Sequence, residues 1–131
     1  MNDKTVRSYR DLLAWQKSVD LVNEIYCCTR TFPREELCGL VSQLRRAAIS
    51  VPSNIAEGHA RISTGEFKQF LGHALGSLME LETQLVISGR LGYIGAQESR
   101  DLLERAAEVG RLVNGILRSL AKHASSKTPS A

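Results

Sequence analysis

The sequence predicts an all-α fold, an antiparallel up-down-up-down four-helix bundle, and three observations support this prediction. The 131 residues are 43% hydrophobic but only 5% aromatic, which suits helices rich in Leu, Ala and Val better than a β-sandwich. Apolar residues recur at steps of three and four along four segments. The segments between them are short and contain Gly or Pro, so consecutive helices are expected to lie side by side and antiparallel.

The first helix is predicted over residues 11–30. Two neighbouring apolar stripes at helical spacing give it a wide buried face. The main stripe contains Leu12, Trp15, Val19, Val22 and Tyr26, and Leu21, Ile25 and Cys28 lie beside it. Pro33 ends this segment, because proline disfavours helical backbone in the residue before it.

The second helix is predicted from Leu37 to about Ala60, with a kink near Pro52. Its core stripe is formed by Leu37, Leu40, Val41, Leu44, Ala48, Val51 and Ile55. Pro52 lacks the amide that would bond the carbonyl of Ala48, so a kink or a short break is expected over residues 48–51.

The third helix is predicted over residues 65–90, with Ser63 and Glu66 at the spacing of a capping box. Gly72 and Gly76 interrupt its interior, where each costs roughly 1 kcal/mol relative to Ala, so the pair predicts the close approach of another backbone. The fourth helix has an unbroken alternation of four and three. The core stripes are Phe67, Phe70, Leu71, Ala74, Leu78, Leu81 and Leu85 in the third helix, and Leu102, Ala106, Val109, Val113, Ile116 and Leu120 in the fourth.

These helices predict one bundle domain over residues 11–123, preceded by an N-terminal extension over residues 1–10. Residues 124–131 are rich in Ser, Lys and Thr and are expected to form a disordered tail. No run approaches the ~18 apolar residues of a membrane span, and residues 1–10 lack an apolar signal segment. A cytoplasmic protein without a membrane partner is therefore expected. Its three cysteines, Cys27, Cys28 and Cys38, are interpreted as reduced thiols, because an odd number with an adjacent pair does not suit a disulfide framework.

Catalytic and metal-binding patterns are missing from the sequence. Di-iron bundles use a Glu-x-x-His motif on each of two helices, and no glutamate here has a histidine three residues later. His59, His73 and His123 are isolated, and there is no Gly-x-Ser-x-Gly elbow or phosphate-binding loop. The sequence therefore predicts a non-enzymatic protein with no metal, no cofactor and no small-molecule substrate.

A second stripe on helix 2, small and polar, lies about 100° around the helix from the core stripe. Three interpretations remain open. It is a solvated face with an i,i+4 pair between Glu57 and Arg61, a polar interface between subunits, or a binding site for a small or anionic ligand. The stripe consists of Gln43, Ala47, Ser50, Asn54, Glu57 and Arg61.

The formal net charge of +3 permits a nucleic-acid partner without requiring one. Several basic residues lie off the core stripes, and the two on helix 4 share one face. The candidate phosphate contacts are Arg45, Arg61, Lys68, Arg111 and Arg118. Simple solvation and favourable interaction with helix dipoles explain the same residues, and the sequence offers no interleaved aromatics for base stacking.

Several motifs resemble one family. They are Asp11-Leu12-x-x-Trp15-Gln16-Lys17, Phe32-Pro33, Gln43-Leu44-Arg45-Arg46-Ala47 and Ser50-Val51-Pro52-Ser53-Asn54-Ile55-Ala56-Glu57-Gly58, followed by Glu66-Phe67, Phe70-Leu71, Gly76-Ser77 and Glu80-Leu81-Glu82. The chain resembles, over about residues 9–122, the bacterial four-helix bundle proteins encoded by intervening sequences in 23S rRNA genes.

This resemblance implies a bundle that assembles as a ring-like homopentamer without established enzymatic activity, with an accessory role in RNA or DNA binding. The alternative is a protein-interaction scaffold that binds no nucleic acid. A closed ring requires two different faces on each subunit. We therefore expect a polar cluster at or near the junction between subunits, formed by Gln43, Arg46, Ser50, Asn54 and Glu57.

Overall fold

The structure, a computed structural model, describes residues 8–127, with side chains from Ser8 to Lys122. This part of the chain contains four α-helices and no strands, which confirms the predicted four-helix bundle. The helices are α1 (Leu13–Thr29), α2 (Ser42–His59), α3 (Thr64–Arg90) and α4 (Ala96–Lys127). None of them is long and apolar enough to span a lipid bilayer.

Contacts between the helices pair the end of one with the beginning of the next. Midway along α2, Ser50 is hydrogen-bonded to Ser77 of α3, and near the end of α2, Gly58 lies against Phe70, which is earlier in α3. The end of α3 and the beginning of α4 meet in the same way where Gly89 approaches Ser99. Because α4 also packs against α1, the four helices close around a shared core.

The core stripes of α2, α3 and α4 follow the prediction over most of their length, but Leu37 is 57% exposed, and Phe67 and Phe70 are only partly buried. Leu44, Val51 and Ile55 of α2 are fully buried, and so are Leu71, Leu78 and their neighbours in α3. In α4 the pattern holds as far as Val113, while Ile116 and Leu120 are only partly buried. The cap predicted for the third helix is also confirmed, since Ser63 Oγ accepts a hydrogen bond from the amide of Glu66 at 3.1 Å.

The wide apolar face predicted for α1 is buried unevenly. Leu21, Ile25 and Cys28 are buried as predicted, whereas Val19, Val22 and Tyr26 are only partly buried. The stripe that faces the core is formed by Ala14, Ser18, Leu21, Ile25 and Cys28. Ser18 interrupts the apolar pattern of this stripe, because serine is polar. Its hydroxyl donates to the carbonyl of Trp15 at 2.8 Å, which allows complete burial.

The beginning of the second helix also differs. An α-helix was expected from Leu37, but the structure has a 3₁₀ turn at Arg34–Glu36 and a kinked segment at Leu37–Val41 before α2. Gly39 within this segment has non-helical dihedrals, φ −106° and ψ −107°. The side chain of Glu36 accepts from the amide of Leu40 at 3.5 Å, which partly replaces a helical hydrogen bond.

The helix continues without a break through Pro52, so the departure from helical backbone lies at Gly39 and not at residues 48–51. The bend near Pro52 stays a prediction. At the other end of the chain, α4 extends to Lys127 and therefore overlaps the tail predicted from residue 124. Residues 1–7 of the predicted extension and residues 128–131 lie outside the described residues, and a 3₁₀ turn at Tyr9–Asp11 precedes α1.

The glycine that allows close helix packing is Gly58, and not Gly72 or Gly76. A Cβ added at Gly58 would lie 2.6 Å from Phe70 Cβ, which is closer than such atoms approach. At Gly72 and Gly76 it would meet nothing within 4 Å. The backbone predicted to approach these two glycines therefore does not come from the described part of this chain.

Candidate functional site: a polar groove between α2 and α3

Ser50 of the polar stripe joins α2 to α3 through a hydrogen bond, and Asn54 bonds Ser50 within α2. Asn54 Nδ2 donates to the carbonyl of Ser50 at 2.8 Å and to its hydroxyl at 2.9 Å. The Ser50 hydroxyl also bonds the Ser77 hydroxyl at 2.8 Å. Short side chains at this contact let the two helices approach closely, and their polar atoms are satisfied within the chain.

Farther toward the beginning of α2, the same stripe borders a groove of about 600 Å³. We call it the α2–α3 groove, and its lining residues are Cys38, Ser42, Gln43, Arg46, Ala47, Ser50 and Glu80. Arg46 and Glu80 are both exposed, and neither has an ion-pair partner within the described residues. One positive and one negative group thus face the groove from different helices.

The remaining part of the stripe forms an ordinary surface ion pair. Glu57 Oε2 lies 3.7 Å from Arg61 Nη2 in the i,i+4 geometry that the sequence indicates. Both side chains are about half exposed, so the pair contributes at most ~0.5 kcal/mol. The guanidinium of Arg61 also lies 4.8 Å from the centroid of the Phe70 ring. The stripe is therefore three local arrangements and not one continuous cluster.

Arg45 is held by α1. Its Nε donates to Thr29 Oγ1 at 2.9 Å, and its guanidinium lies 4.4 Å from the centroid of the Tyr26 ring. Among the candidate phosphate contacts it is thus the one most engaged in packing two helices together.

Replacing Arg45 with Ala is expected to lower the free energy of unfolding by about 1 to 3 kcal/mol, because a charged hydrogen bond and a cation–π contact are both lost. The matched control is Arg46→Ala, since Arg46 is exposed and unpaired, and its expected change is within about 0.5 kcal/mol. Urea unfolding followed by circular dichroism measures both. Equal midpoints for the two variants would show that the contacts of Arg45 contribute nothing to the fold.

The other candidate phosphate contacts are divided between two places. Arg61, Lys68 and Arg118 lie toward the end of the bundle where α2 ends and α3 begins. Arg111 is farther from this end, and its Nη2 lies 3.8 Å from Glu104 Oε2. Arg45 belongs to the opposite half of the bundle. The structure thus places three of the candidates toward one end of the bundle and the other two farther from it.

The cysteines and histidines form no recognisable reactive centre in the described part of the chain. Cys27, Cys28 and Cys38 are free thiols, and no group of three or more His, Cys, Asp or Glu side chains could hold a metal ion there. Burial raises the pKa of Cys28 to about 11, and the nearby charge of Glu98 adds to this shift. A thiol with a raised pKa is a poor nucleophile at neutral pH. The side chain of His123 lies outside the described residues.

A family model described as the 23S rRNA-intervening sequence protein matches residues 10–115. The chain belongs to this family. Its motifs on α1, α2 and α3 all lie within the matched range, in agreement with the resemblance drawn from the sequence.

One solved structure with this fold is a protein of unknown function from the S23 ribosomal protein family of Bacteroides thetaiotaomicron. Its TM-score is 0.75 at 22% sequence identity, and the alignment covers 81% of this chain and 96% of that chain. No curated protein matches the chain. The 23S rRNA-intervening sequence family and the shared fold are thus established, and the family's function is not.

The sequence of this family member did not reveal the α3 side of the groove. Ser77 and Glu80 were seen only as parts of motifs, although they face α2 from α3. Ser77 and Gln84 are seven residues apart, so both lie on the flank of α3 next to its core stripe. A row of polar residues on one side of α3, together with the polar stripe on α2, is the sequence signal that could have identified both sides of the groove.

Proposed function

We propose that this protein is the subunit of a non-enzymatic homo-oligomer that binds RNA or DNA through one end of its bundle. The observation that carries the proposal is the excess of basic over acidic residues at the end where α2 passes into α3. We call this the cationic end, and its basic residues are Arg10, Arg61, Lys68, Arg118 and Lys122.

The cationic end has three acidic residues, Asp11, Glu57 and Glu66, against its five basic ones. Asp11 Oδ2 accepts from the amide of Ser8, Glu57 pairs with Arg61, and Glu66 Oε1 accepts from the hydroxyl of Ser63. Within the described residues, by contrast, Lys68, Arg118 and Lys122 have no ion-pair partner. Cations without internal partners suit contacts with phosphates, which supply sequence-tolerant affinity.

The opposite end has no such imbalance. Around its two connections the cations Arg30, Arg34, Arg90 and Arg100 are matched by the acids Glu35, Glu36, Glu98 and Asp101. Because the local charge is more positive there, a polyanion is expected to bind the cationic end in preference to the opposite end, although the whole chain is only mildly basic.

The outer face of α3 supports assembly of several copies. Met79, Val86 and Ile87 are 53%, 40% and 44% exposed, and the open glycines Gly72 and Gly76 precede them. The glycines would let a helix of a second copy approach closely, and the apolar side chains would be buried by it. Ring assembly would also place several cationic ends side by side, which multiplies weak phosphate contacts.

The test is the binding of structured RNA and duplex DNA, measured by fluorescence anisotropy between ~50 and ~200 mM salt, with light scattering on the same samples to give the number of copies. With about four phosphate contacts, affinity should fall about a hundredfold over this range. Lys68→Glu combined with Arg118→Glu should weaken binding at low salt by about tenfold or more.

The matched control is Arg30→Glu combined with Arg34→Glu, which makes the same charge change at the opposite end and should bind much more tightly than the first variant. Equal losses in both double variants would show that only net charge matters and not the cationic end. A single monomeric species without affinity for either polymer at ~50 mM salt would overturn the proposal. A salt-insensitive complex with another protein would instead favour the scaffold alternative.

A further inference from the structure

The α2–α3 groove is separate from the cationic end and has its own chemistry. Arg46 and Glu80 line the same groove from two helices, yet their charged groups form no ion pair with each other or with any other described residue. Two opposite charges that border one cavity without pairing leave both charges available to a molecule between them.

Uncharged polar groups occupy the rest of the lining. Ser42 and Gln43 offer a hydroxyl and an amide, while Ala47 is 4% exposed and forms an apolar floor. Ser50 is fixed by its bonds to Asn54 and Ser77, so this part of the wall is held in place by α3 as well as α2. The volume of about 600 Å³ lies within the usual range for small-molecule sites.

The backbone beside the groove is irregular. Cys38 is followed by Gly39, whose non-helical dihedrals form a kink just before α2. Cys38, which lies at this kink, lines the groove.

We propose that the α2–α3 groove binds a small zwitterion, a free α-amino acid, with its carboxylate on Arg46 and its ammonium on Glu80. The two wall charges select this class. A simple anion such as phosphate is attracted by Arg46 but repelled by Glu80. A simple amine is attracted by Glu80 but repelled by Arg46. A molecule with both charges interacts favourably with both walls, and Ser42 and Gln43 can hydrogen-bond a polar side chain. This ligand goes beyond nucleic-acid binding and differs from the sequence-based expectation of no small-molecule partner.

The test is isothermal titration calorimetry of the full chain with L-serine, L-glutamine and L-leucine. The matched probes are L-serine amide, which lacks the carboxylate, and N-acetyl-L-serine, which lacks the ammonium. At least one free amino acid should give saturable binding, and each blocked form of serine should bind at least about tenfold more weakly than L-serine, because one charged contact is lost.

Arg46→Gln and Glu80→Gln should each weaken amino-acid binding about tenfold or more, whereas Arg105→Gln and Glu82→Gln, which lie outside the groove lining, should not change it. Circular dichroism melting checks that all four variants are folded, and the exposed positions of Arg46 and Glu80 make this the expected result. Absence of saturable binding by every free amino acid would overturn the proposal, as would equal binding of serine and its blocked forms. Nucleic-acid affinity is measured separately, so either proposal can fail while the other stands.

Discussion

Gly58→Ala is expected to lower the free energy of unfolding by about 2 to 3 kcal/mol, a large effect for the addition of one methyl group. The new Cβ would lie 2.6 Å from Phe70 Cβ and 3.0 Å from Phe67 Cδ1. Because rotating the Phe70 side chain does not move its Cβ, α2 and α3 must move apart. Overpacking of a close contact typically has this magnitude, and it exceeds the gain in helix propensity from replacing glycine. The midpoint of urea unfolding at fixed protein concentration measures the change.

The control for this substitution is Gly115→Ala in α4. A Cβ there would meet only the Arg118 guanidinium, at the ordinary distance of 3.8 Å. Helix propensity should then dominate and raise the free energy of unfolding by up to about 1 kcal/mol. Similar gains for both variants would show that α2 and α3 do not approach as closely at Gly58 as the structure indicates.

Alkaline pH is expected to destabilise the bundle through Cys28. Its thiol pKa is raised from near 9 to about 11 in the folded protein, mainly by burial. The folded state therefore holds this proton more tightly than the unfolded state. The contribution to stability is complete below pH 9 and is lost between pH 9 and 11, at about 1.4 kcal/mol per pH unit, or about 2 to 3 kcal/mol in total.

Unfolding in urea from pH 8 to 11 under reducing conditions tests this expectation. Cys28→Ala should lose less stability over the range than the wild type, while Cys27→Ala, which removes an exposed thiol, should follow the wild type. The comparison with Cys28→Ala is needed because the pKa of Tyr93 is also raised, chiefly by the hydrogen bond that its hydroxyl donates to Glu36. Parallel curves for all three proteins would show that burial does not shift the titration of Cys28.

The fold follows from the sequence wherever apolar spacing and burial coincide. Leu44, Val51 and Ile55, or Leu71 and Leu78, are strongly apolar and lie at positions that only a core-facing stripe explains. In α1 the two stripes are both apolar enough to face the core. The more deeply buried stripe contains a polar residue, Ser18, whose hydroxyl is bonded to its own helix, so the spacing did not show which of the two predicted stripes is buried more deeply.

The kink at Gly39 could not be predicted from apolar spacing alone. Leu37, Leu40 and Val41 match an α-helical stripe, and the one residue that changes the backbone, Gly39, carries no side chain to disturb that pattern. The sequence predicts a kink or break near Pro52 instead, although the helix is unbroken across it. A proline is conspicuous in a sequence, whereas the dihedrals of a single glycine depend on the packing around it.

The sequence predicted the α2 side of the α2–α3 groove but not its α3 side. The period of α2 identified Gln43, Arg46 and Ser50 as neighbours on one face, because residues on one helix have fixed relative positions. Which residues of α3 oppose them depends on the register between the helices, which the contact at Gly58 helps to set. Glu80 therefore became part of the site only in three dimensions.

The close contact of α2 with α3 bears on the order in which the bundle forms. These two helices share the most extensive interface of any pair, and only a short turn separates them in the chain. A helical hairpin with so little chain to close loses little entropy on docking, so we infer that it belongs to the folding nucleus and that α1 and α4 join later. Destabilising changes between α2 and α3 should then mainly slow folding, and changes where α4 meets α1 should mainly hasten unfolding.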